Sequence, residues 1–242
     1  MPRFLLSPAE WHAPEPALTG DEARHLSQVL RVKVGGEVVV FDGCGRRASA
    51  TVTNVARDRV GLRLGPSESP APPRPRITLA VAVPKGKTMD AIIRKAVELG
   101  VAGIDPLVTR HTIVQPGGGK SEKWGRAALE ACKQCGQDTL PTVADPRHID
   151  GWLASLAPPA PDELRIIASL APGAQPLREI LRTRPEITTA TLLVGPEGDF
   201  APEETEAALA VGFLPTSLGS IVLRVDTAAM FCLSALRYEY GG

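Results

Sequence analysis

The sequence predicts an α/β fold in two parts, a small β-barrel followed by a larger unit built on a mainly parallel sheet. Three observations carry that expectation. Short strand-like runs crowd the first 65 or so residues. Apolar runs alternate with helix-period segments after residue 76. Between the two, Ser67 to Pro75 (SESPAPPRP) holds four prolines in nine residues, the composition of a stiff extended linker. A chain of 242 residues with 43% hydrophobic content is long enough for two such cores. The expected boundaries are 1–70 and 76–242.

In the first part, Gly20 to Arg31 (GDEARHLSQVLR) carries Ala23, Leu26, Val29 and Leu30 at helical spacing. Glu37 to Phe41 reads as a strand and Asp42-Gly43-Cys44-Gly45 as a hairpin turn. Ala48 to Val55 and Arg59 to Leu64 supply two more strands. Several short strands in so few residues suit a small barrel.

In the second part, Ile77 to Val83 is a continuous apolar run, as expected for a strand covered on both faces. Thr88 is placed to cap a helix whose Met89, Ile92, Ile93 and Ala96 share a face, and Gly100 closes it. Ile104 to Val108 is the next strand, Glu122 to Cys135 a helix, Leu164 to Leu170 a strand and Leu177 to Leu181 a short helix. The Gly117-Gly118-Gly119 run follows Pro116 and no strand, so it reads as a flexible loop rather than a phosphate cradle.

The densest signal lies between Thr191 and Met230. A short apolar strand (Leu192, Leu193, Val194) meets the turn Gly195-Pro196-Glu197-Gly198, and a helix follows from Pro202 to Gly212, with Glu203, Glu204 and Glu206 near its start. The plan then repeats. Leu214 to Leu218 is a strand, Gly219-Ser220 a turn, and Ile221 to Arg224 a further extended piece. Asp226-Thr227 starts the last helix. Two backbone-rich loops ahead of helix starts suit a ligand gripped through main-chain groups.

Gly195-Pro196-Glu197-Gly198, Leu218-Gly219, Leu223-Arg224 and Asp226-Thr227-Ala228, in that order, resemble the signature of the RsmE family. Further matches are Lys85-Gly86, Lys95 to Gly100, Arg110, Trp124, and in the first part His25, Val29-Leu30-Arg31, Gly35 and Asp42-Gly43. The resemblance implies a methyltransferase acting on N3 of a uridine in small-subunit (16S) ribosomal RNA. It implies a PUA-like RNA-binding barrel, then a knotted domain of the SPOUT class that pairs as a homodimer and binds S-adenosylmethionine. Topology rules disfavour knots, so the knot rests on the resemblance alone. Carried onto this chain, the cofactor-binding positions are Leu193, Val194, Gly195, Pro196, Glu197, Gly198, Leu218, Gly219, Ile221, Leu223, Thr227 and Ala228. Arg224, Asp226 and Glu197 are the catalytic candidates. Glu197 is open to a second reading as a brace of its turn, and Asp226 as the N-cap of the last helix. For RNA, the cations of the barrel are Arg24, Arg31 and Lys33 beside His25, itself open to a purely structural role. Those of the second domain are Lys85, Lys87, Arg94 and Arg110.

This chain departs from the family pattern in two loops. Asp199 stands where a glycine is usual, and Ala201 where a serine caps the helix, a loss of about 1 kcal/mol unless Asp199 takes over the capping. Asp226 stands for a glutamate.

Charge is balanced at 27 basic and 27 acidic residues, so no global field points to nucleic acid. Residues 74–133 nevertheless hold 11 basic against 5 acidic, while 134–242 hold 7 against 14, which makes the middle of the chain the candidate phosphate-facing surface or an ordinary solvated face. Cys44, Cys132, Cys135 and Cys232 contain one C-x-x-C pair without the second pair that a structural zinc needs, so no metal is expected and buried or incidental thiols are. A signal peptide and a membrane-length apolar stretch are lacking, and the expected place is the cytoplasm. The glycine-rich loop and ribose acid of a doubly wound methyltransferase, and a G-x-x-x-x-G-K-[ST] loop, are absent too. Two alternatives stay open: another knotted methyltransferase acting on transfer RNA or a ribose hydroxyl, and a non-catalytic RNA-binding assembly factor.

Overall fold

The structure is a computed structural model that describes residues 1–113, 119–171 and 173–241. The chain divides into two units, Met1–Pro72 with Cys132–Leu140, and Pro73–Ala131 with Pro141–Gly242.

The first unit is a five-stranded sheet in the order β1-β3-β4-β5-β2, from β1 (Arg3–Leu5), β2 (Ala17–Thr19), β3 (Glu37–Phe41), β4 (Arg47–Val55) and β5 (Arg59–Glu68). β3, β4 and β5 are the strands legible in the sequence. β1 and β2 are too short to show an alternation, and the linker's Ser67 and Glu68 extend β5. The β3–β4–β5 meander is antiparallel, while β1 joins β3 in parallel. Register shifts at Ala48/Ala50 and Val52/Asn54 curl the two long strands, as bulges do. The curl encloses Phe4, Leu6, Trp11, Leu18, Leu26, Val38, Val40, Val52, Val60 and Leu62. A one-turn helix, α1 (Pro8–Trp11), delivers Trp11. The helix expected from Gly20 to Arg31 starts as α2 (Gly20–Arg24) and continues as a π-helical turn over His25–Val29, with Leu30 N–H donating to His25 O. Residues 132–140 complete this unit. Leu140 N–H donates to Gly43 O (2.8 Å), Gly45 N–H to Asp138 O (3.1 Å), and the Asp138 carboxylate meets Arg3 and Arg47.

The second unit carries an eight-stranded parallel sheet. Its order is β11-β13-β10-β12-β6-β7-β8, with β9 also on β7. The strands are β6 (Arg76–Ala82), β7 (Gly103–Val108), β8 (Thr142–Val143), β9 (Arg147–His148), β10 (Glu163–Ala168), β11 (Gln175–Pro176), β12 (Thr189–Val194) and β13 (Leu214–Ser217). The helices are α3 (Thr88–Glu98), α4 (Lys120–Cys135), α5 (Ile149–Ala154), α6 (Leu177–Arg182), α7 (Pro202–Ala210) and α8 (Val225–Tyr240). Ala80, Leu107, Ile167 and Leu193 pack with Ile149, Trp152, Ala208 and Phe213 of the α5–α7 side. Their neighbours Leu79, Val81, Leu192 and Val194 point by alternation to the other face, where α8 lies on α3, β6 and β12. Parallel strands with helices on both faces are the α/β fold expected.

Three local expectations need correction. Thr88 is not a cap: α3 begins at Thr88, its N-cap is Lys87, and no side chain caps it. Ile221 to Arg224 joins no sheet: it runs from a bend at Ile221 to an extended Arg224 and leads into α8. That helix starts one residue earlier than expected, with Arg224 at the N-cap and Asp226 already inside the first turn. Asp226 is therefore no N-cap. Of the glycine run, Gly117 and Gly118 lie outside the described residues.

Candidate active site

β13, β10 and β12 are neighbours in the sheet and end at one edge. In an open parallel sheet, the loops leaving the carboxyl ends of adjacent strands leave a crevice between them. That crevice is lined here by Ala168, Ser169 and Leu170 after β10 and by Val194, Gly195, Pro196, Glu197 and Asp199 after β12. Leu218, Gly219, Ile221, Val222 and Leu223 after β13 and Val225 and Ala228 of α8 complete it. Only Glu197 and Asp199 in this lining are charged. A ligand held here meets main-chain groups and apolar side chains, with two carboxylates at hand for a cationic centre.

The turn glycines have distinct jobs. At Gly195 a Cβ would stand 2.9 Å from the Phe200 ring, so the glycine allows the loop to fold over that buried side chain. Gly219 has φ +124, a conformation that side chains rarely adopt. Asp199 also sits in the left-handed region at φ +59, where the family glycine would be at ease, and aspartate tolerates it. Its carboxylate accepts from Phe200 N–H (2.8 Å) and does not cap the helix. The lost serine cap is offset from the other side. Buried Glu204 accepts Ala201 N–H (2.9 Å) through one oxygen and Arg110 N–H (2.7 Å) through the other. This half of a capping box ties the α7 start to the β7 exit.

Of the twelve expected cofactor positions, Val194, Gly195, Pro196, Glu197, Leu218, Gly219, Ile221, Leu223 and Ala228 line the crevice; Leu193, Gly198 and Thr227 do not. Leu193 is fully buried beneath it, and Gly198 turns toward His111. Thr227 lies with Asp226, Lys95, Met230, Phe231, Ser234, Ala235 and Tyr238 along a separate groove on α8. Asp226 belongs to the helix, while Arg224 is its extended N-cap. Among the catalytic candidates only Glu197 lines the crevice. Arg224 is exposed between two lining residues, Leu223 and Val225. The sequence reading missed Ala168, Ser169 and Leu170 because it ran β10 on to Leu170. The strand stops at Ala168, and the following residues turn into the crevice.

The cations expected to meet RNA fall into two groups. Arg24 pairs with Asp21 and Asp58, and Arg110 with Glu203 at 3.0 Å. Arg31, Lys33, Lys85, Lys87 and Arg94 are exposed and enter no ion pair among the described residues. His25 is half-buried, edge-on to Phe4 with ring centroids 6.0 Å apart. All four cysteines are free; burial pushes the Cys132 and Cys232 thiols up to about 12, while Cys44 and Cys135 are exposed. Among the described residues no three His, Cys, Asp or Glu side chains cluster as metal ligands, and no helix is long and apolar enough to cross a membrane.

The same architecture recurs in known proteins. A family model described as an RNA methyltransferase domain matches residues 71–237, and one described as an RNA methyltransferase PUA domain matches 18–64. The ribosomal RNA small subunit methyltransferase E of Synechocystis is 32% identical over 234 residues, covering 97% of this chain and 76% of the relative. The enzyme of the same name from Neisseria gonorrhoeae, solved bound to S-adenosyl methionine, superposes with a TM-score of 0.88. It is 27% identical, with 100% of this chain and 98% of that one covered. A Legionella pneumophila methyltransferase in complex with SAM gives a TM-score of 0.85 at 30% identity, over 98% and 96% of the two chains. With the signature loops meeting in one crevice and both domain models matched in order, the chain belongs to the RsmE family of ribosomal RNA small subunit methyltransferases.

Proposed function

We propose that this protein transfers a methyl group from S-adenosylmethionine to N3 of a uridine in small-subunit ribosomal RNA, in the cytoplasm. The observation that carries the reading is the convergence of the Gly195–Asp199 and Leu218–Leu223 loops on one crevice at the strand ends. Its main-chain lining suits the polar edges of a nucleoside, and its carboxylates suit a sulfonium. Family membership supplies the substrate class, since the similar proteins are named for the small-subunit RNA.

Methyl transfer from a sulfonium to a nitrogen is an in-line displacement, so holding the two reactants in line does most of the work. The N3 imide must lose its proton, and the charge that develops spreads onto the flanking carbonyl oxygens. Glu197, one of the two carboxylates of the lining, is proposed to take that proton, directly or through water. Arg224, exposed beside the crevice, is proposed to meet the uracil oxygens or a neighbouring phosphate. N3 lies on the pairing edge, so the base has to be unpaired or extruded to react. Arg24, Arg31, Lys33 and His25 of the barrel and Lys85, Lys87, Arg94 and Arg110 of the second unit are proposed to hold the RNA backbone.

The same reading includes domains at 1–70 and 76–242, a trefoil knot in the second, and a homodimer. Labelled methyl transfer to small subunits lacking the modification, followed by nucleoside analysis, tests it. Label in 3-methyluridine is expected. Label in a ribose-methylated nucleoside or only in transfer RNA would refute the N3 assignment.

A further inference from the structure

After β7 the chain makes a tight turn from Thr109 to Thr112. Thr112 N–H donates to Thr109 O (3.0 Å), Thr109 N–H donates to the Thr112 hydroxyl (2.9 Å), and the two hydroxyls meet at 2.9 Å; both threonines are buried. A turn closed on itself three times is a firm mount. It presents two groups, one to the start of α7 and one to the β12 loop. One is Arg110 N–H, held by buried Glu204; the other is the His111 ring. Nδ1 of His111 lies 2.9 Å from Asp199 O, and a Cβ on Gly198 would be 3.2 Å from the His111 Cβ. A carbonyl oxygen only accepts, so Nδ1 carries the hydrogen.

The held residue is the unusual one. Asp199 is the non-glycine residue of this loop at positive φ (+59), and it lines the crevice. Its own turn is closed by its N–H to Pro196 O (3.0 Å) and by its carboxylate to Phe200 N–H. We infer that His111 is a positioning residue for methyl transfer, a latch whose ring N–H fixes the Asp199 carbonyl and so the shape of the donor-binding loop. His111 is exposed, so its bond adds little to global stability, whereas the loop it holds forms one wall of the crevice. Its loss falls on donor affinity. The inference rests on the proposed donor site and adds to it a residue outside the crevice lining.

Calorimetric titration of the full-length chain with S-adenosylmethionine tests the latch in three proteins. An Asn amide nitrogen stands at the same bond distance from Cγ as Nδ1, so His111→Asn keeps the bond and His111→Ala removes it. One lost hydrogen bond corresponds to a roughly five- to tenfold weaker affinity, expected in His111→Ala at nearly unchanged melting temperature. His111→Asn should return to within about twofold of the wild type, a rescue that bulk or stability effects would not produce. Wild-type affinity in His111→Ala, or equal losses in both variants, would overturn the latch alone. Absence of donor binding in the wild type would instead overturn the donor site, and the latch with it.

Discussion

At the scale of single residues, the crevice separates the carboxylates that sequence alone left equivalent. Glu197 lines the crevice; Asp226 lies in the separate groove shared with Lys95 and Tyr238. Glu197→Gln is therefore expected to slow methyl transfer by roughly 100-fold at saturating donor. Asp226→Asn removes one favourable charge from the first turn of α8, costs well under about 1 kcal/mol, and should leave the rate within a few-fold. Single-turnover rates of the two variants decide it, and the reverse ranking would move the proton transfer to Asp226. Asp226 was misread for a physical reason. Aspartate favours both N-cap and N2 positions, and only backbone dihedrals tell which of the two it occupies. The glycines were more legible, because the strand–turn–helix pattern around Gly195 and Gly219 leaves few alternatives. Which of them serves φ and which serves Phe200 is decided by tertiary contacts.

At the scale of elements, helices with a clear apolar face and long apolar strands were legible almost to the residue. The α3 face of Met89, Ile92, Ile93 and Ala96 is buried as its spacing requires. β1, β2, β8, β9 and β11 were not, since two or three residues hold no period. Nor does any local signal mark the partner of the last helix. Arg237 of α8 donates to Leu99 O and Pro75 O, each at 3.0 Å, and also to Gly100 O. It ties the C-terminal helix to the end of α3 and the start of β6, and burial lowers its pKa without discharging it. Arg237→Met should destabilise the chain by about 2–3 kcal/mol, because several carbonyls lose their donor at once. Chemical denaturation would show the shift; a change under about 0.5 kcal/mol would mean that water replaces the guanidinium.

At the scale of the whole molecule, the order of barrel, proline-rich stretch and α/β unit was legible because composition changes sharply at Ser67–Pro75. Membership of residues 132–140 in the first unit was not, since they begin inside the last turn of the long helix α4 and continue it without any break in composition. The proposed homodimer draws its support from α8. One face of it is core, while Phe231 (46% exposed) and Tyr238 (90% exposed) carry a second apolar face into solvent with Met230 and Ala235. A second copy is the proposed cover. Light scattering at micromolar concentration should give twice the chain mass, and Tyr238→Glu should lower it; a monomeric wild type would contradict the pairing.

The loops at the ends of β10, β12 and β13 are proposed to hold the methyl donor through their backbone. Titration of the wild type and Gly219→Val with S-adenosylmethionine tests it most directly. A valine at φ +124 is strained whatever space surrounds it, and the strain falls on an exposed loop rather than on the core. Saturable binding of one donor per wild-type chain, its loss in Gly219→Val, and similar melting temperatures for both are expected. Saturable binding that survives unchanged in Gly219→Val would place the donor elsewhere and contradict the account.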